Sequence, residues 1–356
     1  MSSDSLTKIA GLEGKILLTG HTGFKGTWMT LLLERLGCEV VGLSKPPTES
    51  SLYQRCSRTG AIQERFLDIK DFDGVKNYLS SQNPTNIIHM AAQPLVLESY
   101  KNPRETFETN VLGTVNLLDA AFQTESVKNI VIVTTDKVYR NNNLGRRFLE
   151  SDPLGGKDPY SSSKVGTETA VSAWQQISKV SGGPKVISVR AGNVIGGGDW
   201  APDRLVPDLV RGFIGDNPIK IRNSESTRPW QHVLDPLVGY LLALTHACNG
   251  GEEDIFNFGP DMNSLAVSEV VRIAQQVWPK KSEIEFSPST KGMEAEKLDL
   301  DSNLAAKILG WSPIFSQEES IRNTFQWWQK VLLNSKDPQS ACSEDINYVL
   351  SKIRTV

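Results

Sequence analysis

ILLTGHTGFKG, residues 16–26, runs from an apolar strand into three glycines spaced three residues apart. An apolar-periodic helix is predicted directly after it, over residues 27–36. Gly20 allows a tight turn, Gly23 lets the backbone approach a pyrophosphate, and Gly26 lets helix and strand pack closely. The free N–H groups of the helix N-terminus favour a phosphate. The stretch therefore predicts a dinucleotide site, lined at this turn by the residues between the glycines: Thr22, Phe24 and Lys25.

The composition is that of a globular protein and not of a chain that binds nucleic acid or a membrane surface through bulk charge. The 356 residues are 39% hydrophobic and 22% charged, with a net charge of −3. A nearly neutral balance argues against such partners. Four widely spaced cysteines favour neither a zinc site nor disulfides. The N-terminus lacks a signal pattern and no apolar run reaches transmembrane length, so we expect a cytoplasmic protein without a metal.

The adenosine end of the cofactor is expected at the ends of the next two strands. After the strand over residues 39–44, an Asp or Glu would bind the ribose of NAD. Lys45 stands there instead, so NADP stays open beside NAD; an exposed loop lysine is the alternative. A third strand over residues 65–69 contains a carboxylate at its end. Asp68 and Ile69 are expected at the adenine, although an Asp in a turn is also ordinary.

Two further segments are predicted to line the cofactor. A strand over residues 86–89 runs into Ala91, Ala92 and Gln93, where a cofactor can pass close to the backbone. A helix over residues 106–122 contains Asn110, a residue type that forms helices poorly. Asn110 is therefore expected to have a local task, the alternative being a solvated or backbone-bonded side chain.

Strands and helices alternate over about the first 190 residues, which predicts an α/β fold with a Rossmann-type, doubly wound parallel sheet. The rhythm then breaks, and a smaller, mostly helical C-terminal substrate domain is expected. The predicted cofactor domain covers residues 1–192, with returning segments at about 231–261; the substrate domain covers residues 193–230 and 262–356. Asp235 is expected to cap an apolar helix that continues through Leu244.

A tyrosine and a lysine four residues apart form the predicted catalytic pair. Tyr160 and Lys164 lie on one face of a helix over residues 160–177, after a β run that ends at Thr134-Thr135. The ammonium and an oxidised nicotinamide favour the phenolate, which lowers the pKa of Tyr160 from about 10. The phenolate then takes a hydroxyl proton while a hydride leaves the same carbon for the cofactor. Both side chains are also expected to contact the cofactor.

These motifs resemble those of the extended short-chain dehydrogenases that act on nucleotide sugars and, more narrowly within that family, the CDP-D-glucose 4,6-dehydratases. The likeness covers nearly the whole chain and rests on HTGFKG (21–26), HMAAQPLV (89–96), Asp136-Lys137, RAGNVIGGGDW (190–200) and RPWQHV (228–233). It implies an NAD-dependent lyase that converts CDP-D-glucose to CDP-4-dehydro-6-deoxy-D-glucose and water. The family context implies deoxysugar supply to cell-surface polysaccharide such as O-antigen.

The resemblance also implies roles around Asp136-Lys137, where related dehydratases carry Asp-Glu. Thr135 would hydrogen-bond the 4-oxygen of the sugar, Asp136 would protonate the departing C6 hydroxyl, and Lys137 would take the C5 proton. A lysine is a base only where burial or neighbouring cations lower its pKa. The alternative is that Lys137 is a cation that stabilises the enolate while another group removes the proton.

The same resemblance places substrate contacts beyond residue 192. Asn193 would contact the sugar phosphates, and Arg228 would bind a pyrophosphate oxygen, since a guanidinium forms bidentate phosphate bonds. Trp200, Arg204 and Arg222 are expected to line the nucleotide pocket, although surface arginines are common. Lys25 would reach a cofactor phosphate, with a solvated loop lysine as the alternative.

Two other functions compete with this interpretation. The first is a 4,6-dehydratase or 4-epimerase that acts on a dTDP-, UDP- or GDP-linked sugar. The second is a non-catalytic dinucleotide sensor, which is disfavoured because Tyr160 and Lys164 are both present, although fold alone does not imply function. The resemblance further implies a homodimer, or a homotetramer built from such dimers, formed through the helices that carry Asn110 and Tyr160.

Overall fold

A parallel sheet forms the centre of the computed structural model, which describes residues 9, 12–141, 145–215, 218–222, 224–261, 264–280, 282–287 and 298–354. The strands are β1 (Ile16–Thr19), β2 (Val40–Ser44), β3 (Gln63–Phe66), β4 (Asn86–His89), β5 (Asn129–Val133), β6 (Lys185–Ala191), β7 (Val194–Ile195), β8 (Ile219–Arg222), β9 (Thr227–Arg228), β10 (Gln231–His232), β11 (Ile255–Phe258), β12 (Leu265–Ala266) and β13 (Ile284–Ser287). Seven of them pair in the order β3-β2-β1-β4-β5-β6-β11.

Helices connect these strands and continue to the end of the described chain. They are α1 (Phe24–Arg35), α2 (Leu52–Arg55), α3 (Phe72–Gln82), α4 (Val96–Lys101), α5 (Pro103–Phe107), α6 (Gly113–Phe122), α7 (Pro159–Ser181), α8 (Leu205–Ile214), α9 (Leu234–Cys248), α10 (Val267–Val277), α11 (Asn303–Leu309), α12 (Gln317–Leu332) and α13 (Pro338–Arg354). A π-helical turn, Glu108–Leu112, joins α5 to α6, and a 3₁₀ turn, Asp136–Val138, follows β5. Within the described residues, no helix is both long enough and apolar enough to cross a membrane.

The large sheet is apolar because helices cover both of its faces. In β1 the side chains alternate between two cores: Leu18 packs with Trp28 of α1, whereas Leu17 packs with Leu79 of α3 and Leu117 of α6. Strands buried on both faces need continuous apolar runs, as parallel sheets with crossover helices do. The predicted α/β, doubly wound fold class is confirmed.

The strand order reverses between β1 and β4, and this reversal locates the site. From β1 the chain adds β2 and β3 on one side, and from β4 it adds β5 and β6 on the other. The connections leave a crevice at the carboxyl ends of β1 and β4, where ligands bind in open α/β sheets. The glycine turn after β1 and the polar segment after β5 lie at this edge.

The C-terminal part returns one strand to the sheet and is otherwise mostly helical. Strand β11 pairs in parallel with β6, with Phe256 opposite Val189, inside the segment that was expected to return. The short pairs β7–β10, β9–β12 and β8–β13 and the helices α10–α13 form the smaller region. The boundaries of the two domains stay a prediction.

Asp235 does not cap its helix, so that prediction is wrong. Helix α9 begins one residue earlier, at Leu234, with Val233 at the N-cap. The buried Asp235 side chain instead accepts a hydrogen bond from the backbone N of Ile314 (2.8 Å), and its carbonyl accepts one from Trp311 Nε1 (3.0 Å). Asp235, near the start of α9, thus binds a segment that is distant in sequence. The residues next to Asp235 in the sequence do not reveal this contact.

Candidate active site

The glycine turn has the geometry that a dinucleotide requires. Gly20 has a φ of +72°, and a Cβ on it would lie 2.8 Å from the backbone N of Ala91. A Cβ on Gly26 would overlap the carbonyl oxygen of Gly20, so α1 packs directly on the turn. Gly23 is exposed at the N-cap of α1, and a Cβ there would contact only Gly20. Phe24, the first residue of α1, packs against the main core from a partly buried position. The turn presents the N-terminus of α1 for a phosphate.

Asn110 supports the second wall of this crevice. Its amide clamps the loop after β4: Oδ1 accepts from the backbone N of Gln93 (2.8 Å) and Nδ2 donates to the carbonyl of Gln93 (3.1 Å). Nδ2 also donates to Ser163 Oγ of α7 at 2.9 Å. Asn110 lies in the π-helical turn, a local distortion common at functional sites. It positions the partly buried Ala91, Ala92 and Gln93 segment against α7.

The part of the site that is predicted to bind the adenosine of the cofactor consists of exposed ion pairs. Lys45 Nζ lies 2.9 Å from Asp68 Oδ2 and 3.6 Å from Glu105 Oε1, so two carboxylates share its charge. Burial opposes the charge on Asp68, but hydrogen bonds from the backbone of Lys70 and from Lys45 hold its pKa below the usual value. Strand β3 ends at Phe66, so Asp68 lies in the following turn and not in the strand.

Two neighbours complete this end of the crevice. Thr22 Oγ1 hydrogen-bonds Ser44 Oγ (2.7 Å) and donates to the carbonyl of Lys45 (3.0 Å), which ties the glycine turn to the end of β2. Ile69 is buried and packs against Gly113. Of the predicted adenine contacts, the structure thus leaves Asp68 partly exposed and Ile69 inside the protein.

The segment Thr135–Lys137 follows β5 as a capped 3₁₀ turn. Thr135 is the N-cap: its Oγ1 accepts from the backbone N of Lys137 (3.3 Å) and donates to Asp136 Oδ1 (2.9 Å). Lys137 Nζ lies 3.7 Å from Asp136 Oδ1 and donates to Asn193 Oδ1 at 3.3 Å. Asp136 is buried and Lys137 is about one-third exposed, at 32%. The structure therefore brings an acid, a cation and the predicted phosphate contact together.

The first turn of helix α7 places Tyr160 beside this segment. Asp158 forms a capping box with Ser161, and Pro159 occupies the first helical position. The backbone N of Tyr160 donates to Ser99 Oγ of α4 (3.1 Å), and one turn later Lys164 Nζ donates to the carbonyl of Val133 (3.3 Å). Both side chains of the predicted pair are buried at the end of β5.

Burial dominates the pKa values of the predicted pair in the chain without its cofactor. Burial raises the pKa of Tyr160 to about 12, although a hydrogen bond with Thr135 acts in the other direction. Burial also lowers the pKa of Lys164 to about 8. In the protein chain alone, the loss of hydration of the phenolate outweighs the neighbouring cations. The predicted lowering includes the charge of an oxidised nicotinamide beside the phenol, and it stays a prediction.

Lys25 and Tyr240 lie between the glycine turn and the catalytic segment. The ammonium of Lys25 is 5.7 Å from the centroid of the Tyr240 ring. Lys25 lies in the first turn of α1 and is partly buried. Burial, and then the charges of Lys164 and Arg204, lower the pKa of Lys25 to about 7. The Tyr240 hydroxyl is buried and has no hydrogen-bond partner among the described residues. Nothing in the sequence around Tyr240 distinguished it from other apolar-helix residues.

The other predicted substrate residues are distributed around this centre. Arg204 Nη1 pairs with Asp199 Oδ2 at 2.9 Å, and its charge acts on Tyr160 and Lys25. Arg228 lies in β9, with Nη1 donating to the carbonyl of Thr227 (2.7 Å). Two guanidinium groups, of Arg55 and Arg211, each lie 5.1 Å from the ring centroid of Trp200. The side chain of Arg222, at the end of β8, lies outside the described part of the structure.

One buried ion pair behind the site was missed by the sequence analysis. Glu168 lies one further turn along α7 from Lys164 and binds Arg190 of β6 through both carboxylate oxygens. The signal available was spacing: Tyr160, Lys164 and Glu168 recur every four residues on one helix face. A charged residue continuing that face toward the core requires a partner, which the sequence alone does not identify.

Comparisons with known proteins agree with this geometry. Residues 16–259 match the model of the NAD dependent epimerase/dehydratase family. The chain is 37% identical to a CDP-glucose 4,6-dehydratase of Salmonella typhimurium, over 95% of this chain and 97% of that enzyme. The UDP-glucose 4-epimerase of Thermus thermophilus, solved in complex with NAD, superposes with a TM-score of 0.77 at 26% identity, over 89% of this chain and all of that one.

A second solved structure shows the same fold at lower identity. DesIV, a dTDP-glucose 4,6-dehydratase from Streptomyces venezuelae with NAD and TYD bound, has a TM-score of 0.77 at 23% identity, over 91% of this chain and 99% of that one.

The fold and site define a dinucleotide-binding α/β protein with a Tyr-x-x-x-Lys pair. This chain belongs to the NAD dependent epimerase/dehydratase family.

NAD is the cofactor of that family, and the residues present fit it. The turn at Gly20, Gly23 and Gly26 leaves space beside the α1 N-terminus that a side chain at Gly23 would enter. At the adenosine end, Asp68 and Glu105 already hold the ammonium of Lys45, which leaves it less available for the 2′-phosphate of NADP. The cofactor would lie between these groups and Tyr160.

Proposed function

We propose that this chain is a CDP-D-glucose 4,6-dehydratase, which converts CDP-D-glucose to CDP-4-dehydro-6-deoxy-D-glucose and water. The observation that carries the proposal is the juxtaposition of Thr135, Asp136 and Lys137 with the Tyr160–Lys164 pair at the end of β5. The full-length similarity to the Salmonella typhimurium enzyme supports the choice of the CDP-linked sugar.

Tyr160 and Lys164 would act on the C4 hydroxyl of the glucose. NAD, when bound, would supply the hydride acceptor for C4 and the hydride donor for C6, and its positive nicotinamide would favour the phenolate form of Tyr160. Tyr160 takes the proton of the C4 hydroxyl, and Thr135, which acts on the pKa of the phenol, holds the 4-oxygen. Lys164 adds a positive charge beside the phenolate, and its tie to Val133 fixes its position.

Lys137 and Asp136 would carry out the elimination from the 4-ketone. Lys137 takes the C5 proton, the C5–H electron pair forms the C5=C6 bond, and the C6–O bond breaks. Asp136 donates the proton with which the C6 hydroxyl leaves as water. Lys137 returns a proton to C5 when hydride reaches C6, so the reaction has no net redox change. In the alternative role, Lys137 stabilises the enolate as a cation next to Asp136.

The substrate phosphates are proposed to lie beside Asn193 and Arg228. Asn193 already contacts Lys137, which would put the sugar phosphate next to the elimination centre. The guanidinium of Arg228 offers the paired donors that a phosphate accepts. Trp200, Arg204 and Arg222 are proposed to line the nucleotide pocket.

The substrate is tested by offering CDP-glucose, dTDP-glucose, UDP-glucose and GDP-mannose separately to the purified protein. The product is followed by the mass loss of one water. We expect water loss from CDP-glucose. Water loss from a different sugar nucleotide would keep the chemistry and change the substrate. Conversion of UDP-glucose to an isomer without water loss would favour the 4-epimerase function suggested by the Thermus thermophilus structure.

We also propose that the protein is a homodimer formed through α5, the π-helical turn and α7, with a homotetramer as the alternative. Large apolar side chains on these elements are exposed in the single chain: Phe107, Leu112, Ile177 and Val180. Exposed apolar clusters mark interaction surfaces. Light scattering of the purified protein measures its oligomeric state, and Val180→Asp is expected to weaken the dimer.

A cytoplasmic location is also proposed, because the reducing conditions of the cytoplasm suit the four free cysteines.

A further inference from the structure

The buried ion pair behind the site connects α7 to β6. Arg190 Nε and Nη2 donate to the two carboxylate oxygens of Glu168 at 2.9 and 2.8 Å. Both side chains are nearly fully buried, with 2% and 3% of their surface exposed. Taking two charges out of water is costly, and a bidentate geometry with further hydrogen bonds is what offsets that cost.

The carboxylate of this pair also binds the residue just before the catalytic segment. Thr134 Oγ1 donates to Glu168 Oε1, and Ser188 Oγ of β6 donates to the same oxygen at 2.8 Å. Thr134 immediately precedes Thr135, the N-cap of the 3₁₀ turn. One end of the segment Thr135–Lys137 is therefore fixed to α7 through Glu168.

The guanidinium of the pair binds the residue just after that segment. Arg190 Nη1 donates to the Tyr139 hydroxyl oxygen at 2.8 Å and to the carbonyl of Glu150 at 3.1 Å. The Tyr139 hydroxyl in turn donates to Asn257 Oδ1 of β11 at 2.7 Å. Tyr139 follows Lys137 by two residues and is buried.

We propose that the Glu168–Arg190 pair positions Asp136 and Lys137 for the elimination by holding both flanks of their turn against α7. This inference rests on the proposed function for the steps that it names. Tyr160 is fixed independently, by its place on α7 and by the bond of its backbone N to Ser99. A loosened turn therefore impairs proton transfer at C5 and C6 more than oxidation at C4. Glu168, Arg190, Thr134 and Tyr139 are positioning residues, since they act through the turn that they hold.

Tyr139→Phe is the first test because it removes one hydroxyl and keeps the ring. In the free protein, amide hydrogen exchange over residues 135–139 is expected to become about tenfold faster, because the hydroxyl's two buried hydrogen bonds, with Arg190 and Asn257, are lost. With CDP-glucose, water loss is expected to slow about tenfold. The 4-keto-hexose that is lighter by two hydrogens should then accumulate in acid-quenched reactions.

Two further variants sharpen the test. Thr134→Val removes the hydroxyl on the other flank and is expected to give the same pattern. Tyr78→Phe removes the phenol hydroxyl of a buried tyrosine on α3, which donates to the carbonyl of Gln63 and to no part of the segment 134–139, and is the matched control. It should change neither the exchange of residues 135–139 nor the ratio of oxidised to dehydrated product.

Unchanged amide exchange over residues 135–139 in Tyr139→Phe and Thr134→Val would overturn the proposal. Oxidation and water loss that fall equally, together with a lowered melting temperature, would also overturn it, because the pair would then only stabilise the fold. If the wild-type protein dehydrates none of the four sugar nucleotides, the proposed function fails. The exchange measurement then decides alone: faster exchange supports positioning and unchanged exchange refutes it.

Discussion

The ends of β5 and of β2 face the same predicted cofactor, yet they are built in opposite ways. After β5, Asp136 and Lys164 are almost fully buried; Asp136 accepts a hydrogen bond from the adjacent Thr135, and Lys164 of α7 donates to the backbone of β5. After β2, the side chain of Lys45 is 57% exposed and that of Glu105 is 43% exposed, and they meet in solvent-accessible ion pairs. One end is a desolvated cluster that contains the predicted catalytic groups, and the other is a charge cluster that solvent screens.

The difference shows where this protein concentrates its electrostatic effects. Burial shifts the pKa of Tyr160 to about 12 and of Lys164 to about 8, because a desolvated group loses its charged form more easily. Exposed ion pairs of the kind at Lys45 contribute between zero and about 1 kcal/mol. We therefore expect substitutions after β5 to alter chemistry and substitutions after β2 to alter binding modestly.

The largest effect is expected from Tyr160→Phe. Removing the group that takes the C4 proton should lower kcat for CDP-glucose dehydration by roughly 10³- to 10⁴-fold, the upper part of the range for general acid–base residues. Product mass measures this rate. Tyr78→Phe, which removes a buried phenol hydroxyl of α3, is the matched control. A kcat of Tyr160→Phe within tenfold of the wild-type value would contradict the expectation that the buried groups after β5 carry the chemistry.

Lys137 variants separate its two proposed roles. Lys137→Met removes both the base and the cation, and water loss should fall by on the order of 10²- to 10³-fold. Lys137→Glu restores a base but not a cation next to Asp136. If Lys137 is the base, Lys137→Glu should recover much of the rate. A glutamate variant as slow as the methionine variant would favour the cationic role.

The pH dependence of stability tests the burial of Lys164. Its pKa is about 8 in the folded chain against 10.5 as the unperturbed value, so between these pH values the unfolded chain binds more protons. Stability relative to Lys164→Met should therefore rise across that window, by on the order of 3 kcal/mol, and be constant below pH 8. Urea unfolding of both proteins measures it. The exposed Lys128→Met is the control, and parallel curves for wild type and Lys164→Met would refute the effect.

The smallest effect is expected at the adenosine end. Asp68→Asn removes a partly exposed carboxylate that pairs with Lys45, and the Kd for NAD should rise only about two- to fivefold, as for an exposed polar contact. Fluorescence titration with the reduced cofactor gives the affinity. Asp73→Asn, an exposed acid on α3, is the matched substitution. A hundredfold loss of cofactor affinity in Asp68→Asn would contradict the expectation that substitutions after β2 have only modest effects.

The same comparison explains which predictions succeeded. The glycine turn and the Tyr160–Lys164 spacing are local patterns, and the backbone period places their residues without tertiary knowledge. The pKa of Tyr160 in the chain alone depends on burial by elements far along the chain, which the spacing of Tyr160 and Lys164 does not reveal. Asp235 was predicted as a cap from its position before an apolar run. Its carboxylate instead accepts a hydrogen bond from the backbone N of Ile314, 79 residues away.

The sequence by itself determined the doubly wound sheet, the glycine turn after β1 and the order in which the predicted catalytic side chains follow β5. Each of these depends on period and spacing within about 25 residues. Only the tertiary structure decided that Glu168 pairs with Arg190, that Lys25 lies over Tyr240, and that Lys45 is held by two carboxylates. Those contacts join residues distant in sequence, and their strength depends on burial, which exists only once the chain has folded.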